Sequence, residues 1–156
     1  MDDKLVRFFN KINYGNIDAF KDSRVVKVTI NRQDETWNVY IENNTCIDIH
    51  SALELMTISK KGIVGVKEIN IVFENKTIKD EDILNCFKYL LNELVKESPA
   101  LSSIVNNNIT IIDNVITIEV ISDIEEKLIK KDGKKLINKL NSLGFKDLNI
   151  NCKINE

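Results

Sequence analysis

Apolar residues follow two different spacings along the chain, and the alternation between them predicts helices and strands in a fixed order. Apolar residues three and four apart predict a helix, whereas apolar residues at every second position predict a strand. The first half shows these spacings in the following stretches: a helix over residues 3–12, strands over 24–30 and 36–41, a helix over 48–60 and a strand over 66–73. Asp48 is the expected N-cap of the second helix and Gly62 its expected end, with Ile49, Leu53 and Met56 on its inner face.

The second half of the chain repeats this order of spacings. Its predicted elements are a helix opening at Thr77–Asp80, a short helical segment over 100–105, strands over 109–112 and 115–120, a helix from Ser122 to Gly144 and a strand over 148–154. Pro99 should end the first of these helices, because proline lacks the amide hydrogen that a helix interior needs. Asp113-Asn114 favours a two-residue turn between the strands. Ser122 and Glu125 have the spacing of a capping box.

The repeated order predicts an α+β fold of two small strand–strand–helix–strand units, each preceded by a helix. Residues 1–75 would form the first unit and residues 76–156 the second, each with a three-stranded sheet packed on helices. Glycine and proline are scarce, at 5 and 1 residues, so any linker between the units should be short. Few residues are identical between the halves, and the repeat therefore lies in the pattern.

The composition favours a cytoplasmic protein that is not a dedicated polyanion binder. The formal net charge is -2, whereas nucleic-acid modules usually carry an excess of basic residues. No apolar run approaches the length of a membrane span, and the charged start of the chain does not resemble a secretory signal. The three cysteines, Cys46, Cys86 and Cys152, form no CxxC pair and are expected to be reduced thiols.

Residues that carry catalysis are scarce, so no catalytic residue, cofactor, metal or small-molecule substrate is predicted. His50 is the only histidine, and no sequence signature supplies it with a nucleophile or an orienting carboxylate. The segment Gly62-Ile63-Val64-Gly65 has the GxxG spacing found in KH domains, but its apolar middle and its position before a strand favour a tight turn. Asp80, Glu81 and Asp82 suit a helix N-terminus better than a metal site.

A group of lysines on the last predicted helix is the candidate contact with nucleic acid. Its members are Lys127, Lys130, Lys131, Lys134 and Lys135. Acidic residues interrupt the group, and no aromatic residue is interleaved for base stacking. A solvated helix face is therefore favoured over a phosphate-binding surface.

Trp37 is the only tryptophan of the chain, and it lies on a predicted strand. It alternates with Val39 and Ile41, which predicts that its ring faces the core. If the ring were exposed instead, it would be a candidate hot spot for a partner, because tryptophan is enriched among the residues that dominate binding energy.

Three groups of segments carry a resemblance to a known family. They are Val26-Lys27-Val28-Thr29-Ile30 with Thr36-Trp37, Glu97-Ser98-Pro99 before Leu101 and Ile104, and Leu143-Gly144-Phe145 with Asp147-Leu148. With these segments in this order, the chain resembles the N-terminal region of PolC-type DNA polymerase III alpha subunits, which are the replicative polymerases of low-GC Gram-positive bacteria. The resemblance implies two small KH-like domains, similar to interaction domains of other replication proteins.

The resemblance also implies a role for the chain and a partner. The full-length parent would be a DNA-directed DNA polymerase with 3'-5' exonuclease activity, and its catalytic domains would follow this region. No catalytic residue of the family maps onto this chain. The expected function is therefore a non-catalytic module that tethers the polymerase to a replisome protein, with the clamp-loader tau subunit as the expected partner. The alternatives are a KH-like module for single-stranded nucleic acid and, third, a small enzyme.

Overall fold

A computed structural model describes residues 1–154 and has the predicted α+β architecture. Its helices are α1 (Asp3–Ile12), α2 (Ile49–Lys60), α3 (Asp80–Glu97) and α4 (Asp123–Ser142). Its strands are β1 (Ser23–Asn31), β2 (Thr36–Asn43), β3 (Glu68–Asn75), β4 (Ile109–Ile112), β5 (Val115–Val120) and β6 (Asn149–Ile154). Two short 3-10 helices, Ile17–Phe20 and Pro99–Ser103, follow α1 and α3. The predicted fold class is confirmed.

The six strands form two three-stranded sheets with the same topology. Their strand orders are β1-β2-β3 and β4-β5-β6. In each sheet the first two strands form an antiparallel hairpin, and the second and third strands run parallel. A parallel pair needs a crossover connection, which α2 supplies in the first sheet and α4 in the second. The repeat in the sequence pattern thus corresponds to a repeat in topology.

The chain divides into two compact units. The first contains Met1–Ile78 together with Ser142–Gly144, and the second contains Lys79–Asn141 together with the chain from Phe145 onward. The boundary predicted from the sequence lies slightly earlier, after residue 75. Fully buried side chains of the first unit include Leu5, Phe9, Phe20, Ile41, Leu55, Ile69 and Phe73. Those of the second include Phe87, Leu91, Leu101, Ile104 and Ile116.

An aromatic cluster forms the centre of the first unit. The ring centroid of Phe9 lies 5.1 Å from Tyr14 and 5.4 Å from Phe20, both in edge-to-face geometry. Phe20 stacks on Phe73 of β3 at 6.3 Å. Burial and the neighbouring Glu54 raise the pKa of Tyr14 to about 12. This cluster is not predictable from the apolar spacing, because a four-residue 3-10 helix is too short to show a helical period.

The predicted inner face of α2 is wrong. Ile49, Leu53 and Met56 are only half-buried, whereas Ala52 and Leu55 are buried against the sheet. Apolar residues occupy most of the circumference of this helix and leave only the side of His50, Glu54 and Thr57 polar, so their spacing does not select which of them face the sheet. The predicted N-cap is correct, since the Asp48 carboxylate accepts a hydrogen bond from the Ser51 amide at 3.2 Å.

The start of α3 also differs from the prediction. Thr77 was expected among the capping residues, but the N-cap position is Lys79. The Asp82 carboxylate accepts a long hydrogen bond, 3.4 Å, from the Lys79 amide. Acidic residues in the first turn of α3 complement the positive end of the helix dipole, so this helix begins without a side-chain cap from Thr77.

Glu125 is buried at the start of α4, and its carboxylate is satisfied by three donors. Oε2 accepts a hydrogen bond from Ser103 Oγ at 2.9 Å. Oε1 accepts from the Ile121 amide at 2.9 Å and from Asn107 Nδ2 at 3.3 Å. The predicted capping box is half formed, because the Glu125 amide donates to Ser122 Oγ while the carboxylate binds the Ile121 amide instead of the Ser122 amide. Glu125 therefore joins α4 to the segment that follows α3.

The segment Gly62-Ile63-Val64-Gly65 is a tight turn. Ile63 and Val66 exchange two backbone hydrogen bonds, each 2.9 Å long, which leaves Val64 fully exposed at the tip. Gly62 and Gly65 have φ values of 73° and 84°, in the left-handed region that favours glycine. The turn uses Val66, and β3 therefore begins at Glu68, two residues later than predicted.

Replacing Gly62 with alanine should destabilise the first unit by about 2 kcal/mol or more. A Cβ atom there would collide with the backbone carbonyl groups of Val66 and Lys67. Gly65→Ala is the matched control, because Gly65 has a similar φ and no atom near the position of a Cβ. That variant should lose only about 1 kcal/mol, the cost of the positive φ. Urea unfolding measures both losses, and equal losses would contradict the predicted collision.

Candidate functional site

The larger groove of the second unit lies between α4 and the last strand, and we call it the α4–β6 groove. Its volume is about 500 Å³. The lining residues are Glu126, Ile129, Lys130, Gly133, Lys134, Ile137, Asn138, Leu148, Asn149, Ile150, Asn151 and Cys152. Within residues 1–154, β6 pairs only with β5, so its second edge remains open beside the groove.

Gly133 allows α4 to lie close to β6. A Cβ atom at this position would stand 3.3 Å from Ile150 Cδ1, which is tighter than ordinary van der Waals contact. Glycine costs about 1 kcal/mol relative to alanine in a helix interior, but here it permits the close approach. α4 runs without interruption through this residue. A KH domain has two helices joined by its GxxG loop, and this unit has one continuous helix instead.

The five predicted lysines are all exposed on α4, but they do not all line one groove. Only Lys130 and Lys134 line the α4–β6 groove. Lys127 and Lys131 are exposed but do not belong to its lining, and Lys135 lines a separate depression beside Glu93 and Glu97.

The charge of the α4–β6 groove is partly neutralised. Lys130 Nζ lies 2.7 Å from the Glu126 carboxylate, which raises the pKa of this lysine and holds it in its charged form. Lys134 is exposed and takes part in no ion pair within residues 1–154. Burial, and next the neighbouring Glu126, raise the pKa of the Cys152 thiol, which favours the protonated and unreactive form.

The first unit has a smaller groove between α1 and the face of strands β1 and β2, which we call the α1–β1 groove. Its volume is about 210 Å³. The lining residues are Lys4, Arg7, Phe8, Lys11, Val25, Val28, Trp37 and Val39. Five of these side chains are apolar, three are cationic and none is acidic. The groove thus combines an apolar floor with a positively charged rim.

Spacing along α1 places the three cations on one flank of the helix. Lys4, Arg7 and Lys11 are three and four residues apart, so they lie above one another on successive turns. All three are exposed, and no carboxylate within residues 1–154 forms an ion pair with them. Lys11 Nζ lies 5.6 Å from the centre of the Trp37 ring, within the range of a cation–π contact.

Asp2 fixes the start of α1 against β1. Its Oδ2 atom accepts a hydrogen bond from the Leu5 amide at 3.3 Å, as an N-cap does, and a second from the Val25 amide at 3.0 Å. One carboxylate therefore connects the helix and the strand that form the two walls of the α1–β1 groove.

The strand that borders this groove has one open edge and an exposed apolar row. β1 pairs only with β2 within residues 1–154, and the register shifts between Val25 and Lys27. Val28 then stands opposite Val39, and Ile30 opposite Trp37. The exposed fractions are 38% for Val26, 44% for Val28 and 59% for Ile30. Strand β1 therefore offers apolar side chains and unpaired backbone groups together.

Trp37 is half-buried in the wall of the α1–β1 groove, which differs from the expected core position. Val39 and Ile41 further along β2 are buried as predicted, whereas Trp37 near the start of the strand is not. The α1–β1 groove was not among the sites predicted from the sequence. A usable signal was present in the spacing of Lys4, Arg7 and Lys11 beside the apolar stripe of α1.

Iodide should quench the fluorescence of Trp37 more than caesium does. The three cations around its ring attract the iodide anion and repel the caesium cation. Because Trp37 is the only tryptophan, fluorescence quenching reports this groove alone. The substitution Arg7→Glu together with Lys11→Glu should reduce the preference for iodide. An equal effect of the two ions on the unmodified protein would contradict the positive potential assigned to the groove.

The other residues considered for chemistry lie apart from both grooves. His50 is exposed in the first turn of α2 and lines neither groove. Within residues 1–154, no group of three or more His, Cys, Asp or Glu side chains is arranged to hold a metal ion. None of the helices in this part of the chain has both the length and the apolar composition needed to cross a membrane.

Comparison of the chain with protein-family models, with curated proteins and with solved structures gave no match. The family resemblance therefore contributes to a proposal, alongside the geometry of the two grooves.

Proposed function

We propose that this chain is a non-catalytic protein-interaction module at the N-terminus of a PolC-type DNA polymerase III alpha subunit, acting in the cytoplasm. It would tether the polymerase to the clamp-loader tau subunit. The catalytic work, DNA synthesis and 3'-5' exonuclease activity, would belong to the rest of the polymerase. The family resemblance of the sequence supplies the identity of the parent and of the partner.

The exposed apolar row on β1 is the observation that carries this proposal. Val28 and Ile30 are 44% and 59% exposed, although Val28 stands opposite Val39, a core residue of β2. Open strand edges and exposed apolar side chains are the usual features of a surface that binds an added segment. The adjacent α1–β1 groove extends this apolar surface and supplies Trp37, a residue type enriched among binding hot spots.

Isothermal titration of the chain with purified tau tests the proposal. We expect binding at micromolar concentrations, and no binding at tens of micromolar would reject tau as the partner. Ile30→Asp should weaken binding at least about tenfold, because it places a charge in the apolar row. Val64→Asp is the matched control, since Val64 is fully exposed in the same unit but lies outside the row. Equal losses in the two variants would contradict a role for β1.

Single-stranded nucleic acid is the second candidate ligand, and the α4–β6 groove favours it. Lys130 and Lys134 lie beside the open edge of β6, and Asn149 and Asn151 add polar groups to the lining. A cationic groove along an open strand suits a sugar–phosphate backbone. Nucleic acid is the second candidate because Lys130 is already paired with Glu126 and no aromatic residue lines the groove.

Gel shifts with a labelled single-stranded oligonucleotide at low ionic strength test the second candidate. Phosphate contacts release counterions, so the affinity should fall steeply as salt is added. Lys130→Glu with Lys134→Glu should abolish the shift. Lys127→Glu with Lys131→Glu makes the same change in charge on the same helix, outside the groove, and should leave most of the binding. A protein that produces no shift at low salt would remove this candidate.

A further inference from the structure

We infer that the α1–β1 groove binds an extended acidic segment of a partner protein, anchored by an apolar side chain. This inference rests on the proposed interaction function and adds the chemistry of the segment that is recognised. Nothing in the family resemblance specifies this groove or the charge of its occupant. The charge, the volume and the open strand edge each restrict what can bind.

The charge of the groove is opposite to that of the whole chain. The formal net charge of the protein is -2, yet Lys4, Arg7 and Lys11 line the groove without an acidic residue among its other members. Exposed cations that lack an ion-pair partner attract carboxylates during association and select against basic partners. The Asp2 carboxylate at the start of α1 is already occupied by the Leu5 and Val25 amides. The complementary ligand is therefore acidic.

The floor of the groove requires an apolar anchor. Phe8, Val25 and Val39 form it together with Val28 and Trp37. A volume of about 210 Å³ is sufficient for one or two side chains, and it is below the range typical of sites for whole small-molecule ligands. A leucine or phenylalanine side chain that enters this space would remove apolar surface from water on both partners.

The open edge of β1 favours an extended peptide over a nucleic acid. Its backbone groups on that edge have no strand partner within residues 1–154, so an added strand would form main-chain hydrogen bonds there. In an added strand, successive side chains point to opposite faces. Every second residue would then face the groove. Nucleic-acid recognition relies on aromatic rings for stacking, and the single indole in this groove is already in contact with Lys11.

The fluorescence of Trp37 provides a direct assay, because no other tryptophan contributes. The probes are three tryptophan-free peptides of about twelve residues, longer than the part of β1 that follows Val25, whose amide already donates to Asp2. One alternates Glu and Leu, one alternates Lys and Leu, and one alternates Glu and Ser. We expect the Glu–Leu peptide to shift the Trp37 emission and to bind at least about tenfold more tightly than either of the others.

Charge-reversal variants then locate the binding site. The double substitution Arg7→Glu with Lys11→Glu should lower the affinity for the Glu–Leu peptide at least about tenfold. Lys127→Glu with Lys131→Glu, also four residues apart on an exposed helix face, should change its affinity less than about twofold. Circular dichroism would verify that both variants keep their fold. Three outcomes would each overturn the inference. The protein could prefer the Lys–Leu peptide, it could bind the Glu–Leu and Glu–Ser peptides equally, or the two variants could lose affinity for the Glu–Leu peptide equally.

Titration of the same variants with tau separates this inference from the proposed function. If tau binds and the Arg7 and Lys11 reversals leave its affinity unchanged, the interaction module stands and the docking chemistry is wrong. If tau fails to bind while the Glu–Leu peptide binds in the groove, tau is the wrong partner and the docking chemistry stands. A single-stranded oligonucleotide that competes with the Glu–Leu peptide for Trp37 would assign the groove to nucleic acid and reject the inference.

Discussion

Replacing Phe20 with alanine should lower the free energy of unfolding of the first unit by about 3–5 kcal/mol. The Phe20 ring is fully buried and lies between Phe9 and Phe73, at centroid distances of 5.4 Å and 6.3 Å. Truncation removes the ring contacts with Phe9, Phe73 and Tyr14, whose centroid lies 6.0 Å away, and leaves a cavity where α1, the 3-10 helix and β3 meet. A loss of this size is a large fraction of the stability of a small domain.

Urea unfolding followed by Trp37 fluorescence measures this loss in the first unit, where the only tryptophan lies. Val64→Ala is the control, because Val64 is fully exposed and its truncation should change the unfolding free energy by no more than about 0.5 kcal/mol. A loss below about 1 kcal/mol for Phe20→Ala would show that the aromatic cluster is not the centre of this core.

Replacing Glu125 with alanine should destabilise the second unit by about 3 kcal/mol. The substitution leaves three donors without their acceptor: Ser103 Oγ, Asn107 Nδ2 and the Ile121 amide. Hydrogen bonds to a charged acceptor contribute more than neutral ones, and three of them, all part-buried, are lost together. The connection between the segment after α3 and the start of α4 would be lost as well.

Glu125→Gln separates hydrogen bonding from packing at this position. Glutamine keeps the size of the side chain and one carbonyl acceptor, so it should lose about half as much stability as alanine. Hydrogen exchange of the β5 amides, read by mass spectrometry, reports the stability of this unit. Equal exchange rates in Glu125→Ala and Glu125→Gln would mean that the hydrogen bonds of the carboxylate contribute little to the stability of this unit.

Long periodic segments explain why much of the fold could be predicted from the sequence. The helix predicted over residues 3–12 has the same bounds as α1, and the turn residues Asp113 and Asn114 have the positive φ angles that a two-residue hairpin needs. The prediction failed where local spacing carried no information. α2 is apolar around most of its circumference, and only the sheet below it selects Ala52 and Leu55 as the buried residues.

The candidate site was less predictable than the fold, because a groove depends on which surfaces tertiary packing leaves uncovered. The lysines of α4 were visible as a group, but only the structure separates Lys130 and Lys134 from the other three. The exposure of Val28 and Ile30 could not be predicted, since a strand that alternates in sequence is normally expected to bury one face.

The irregular register of β1 has a consequence for the behaviour of the isolated chain. An apolar strand with an open edge would ordinarily template the addition of a second copy and lead to aggregation. The bulge near Val26 twists the strand away from a flat edge, and Lys27 places a charge beside it, stacked over Tyr40 at 4.3 Å. A second β1 would bring another Lys27 and the same row of cations on α1. The surface thus disfavours self-assembly and stays available to a ligand of opposite charge, so the chain should remain monomeric at concentrations where it captures a partner.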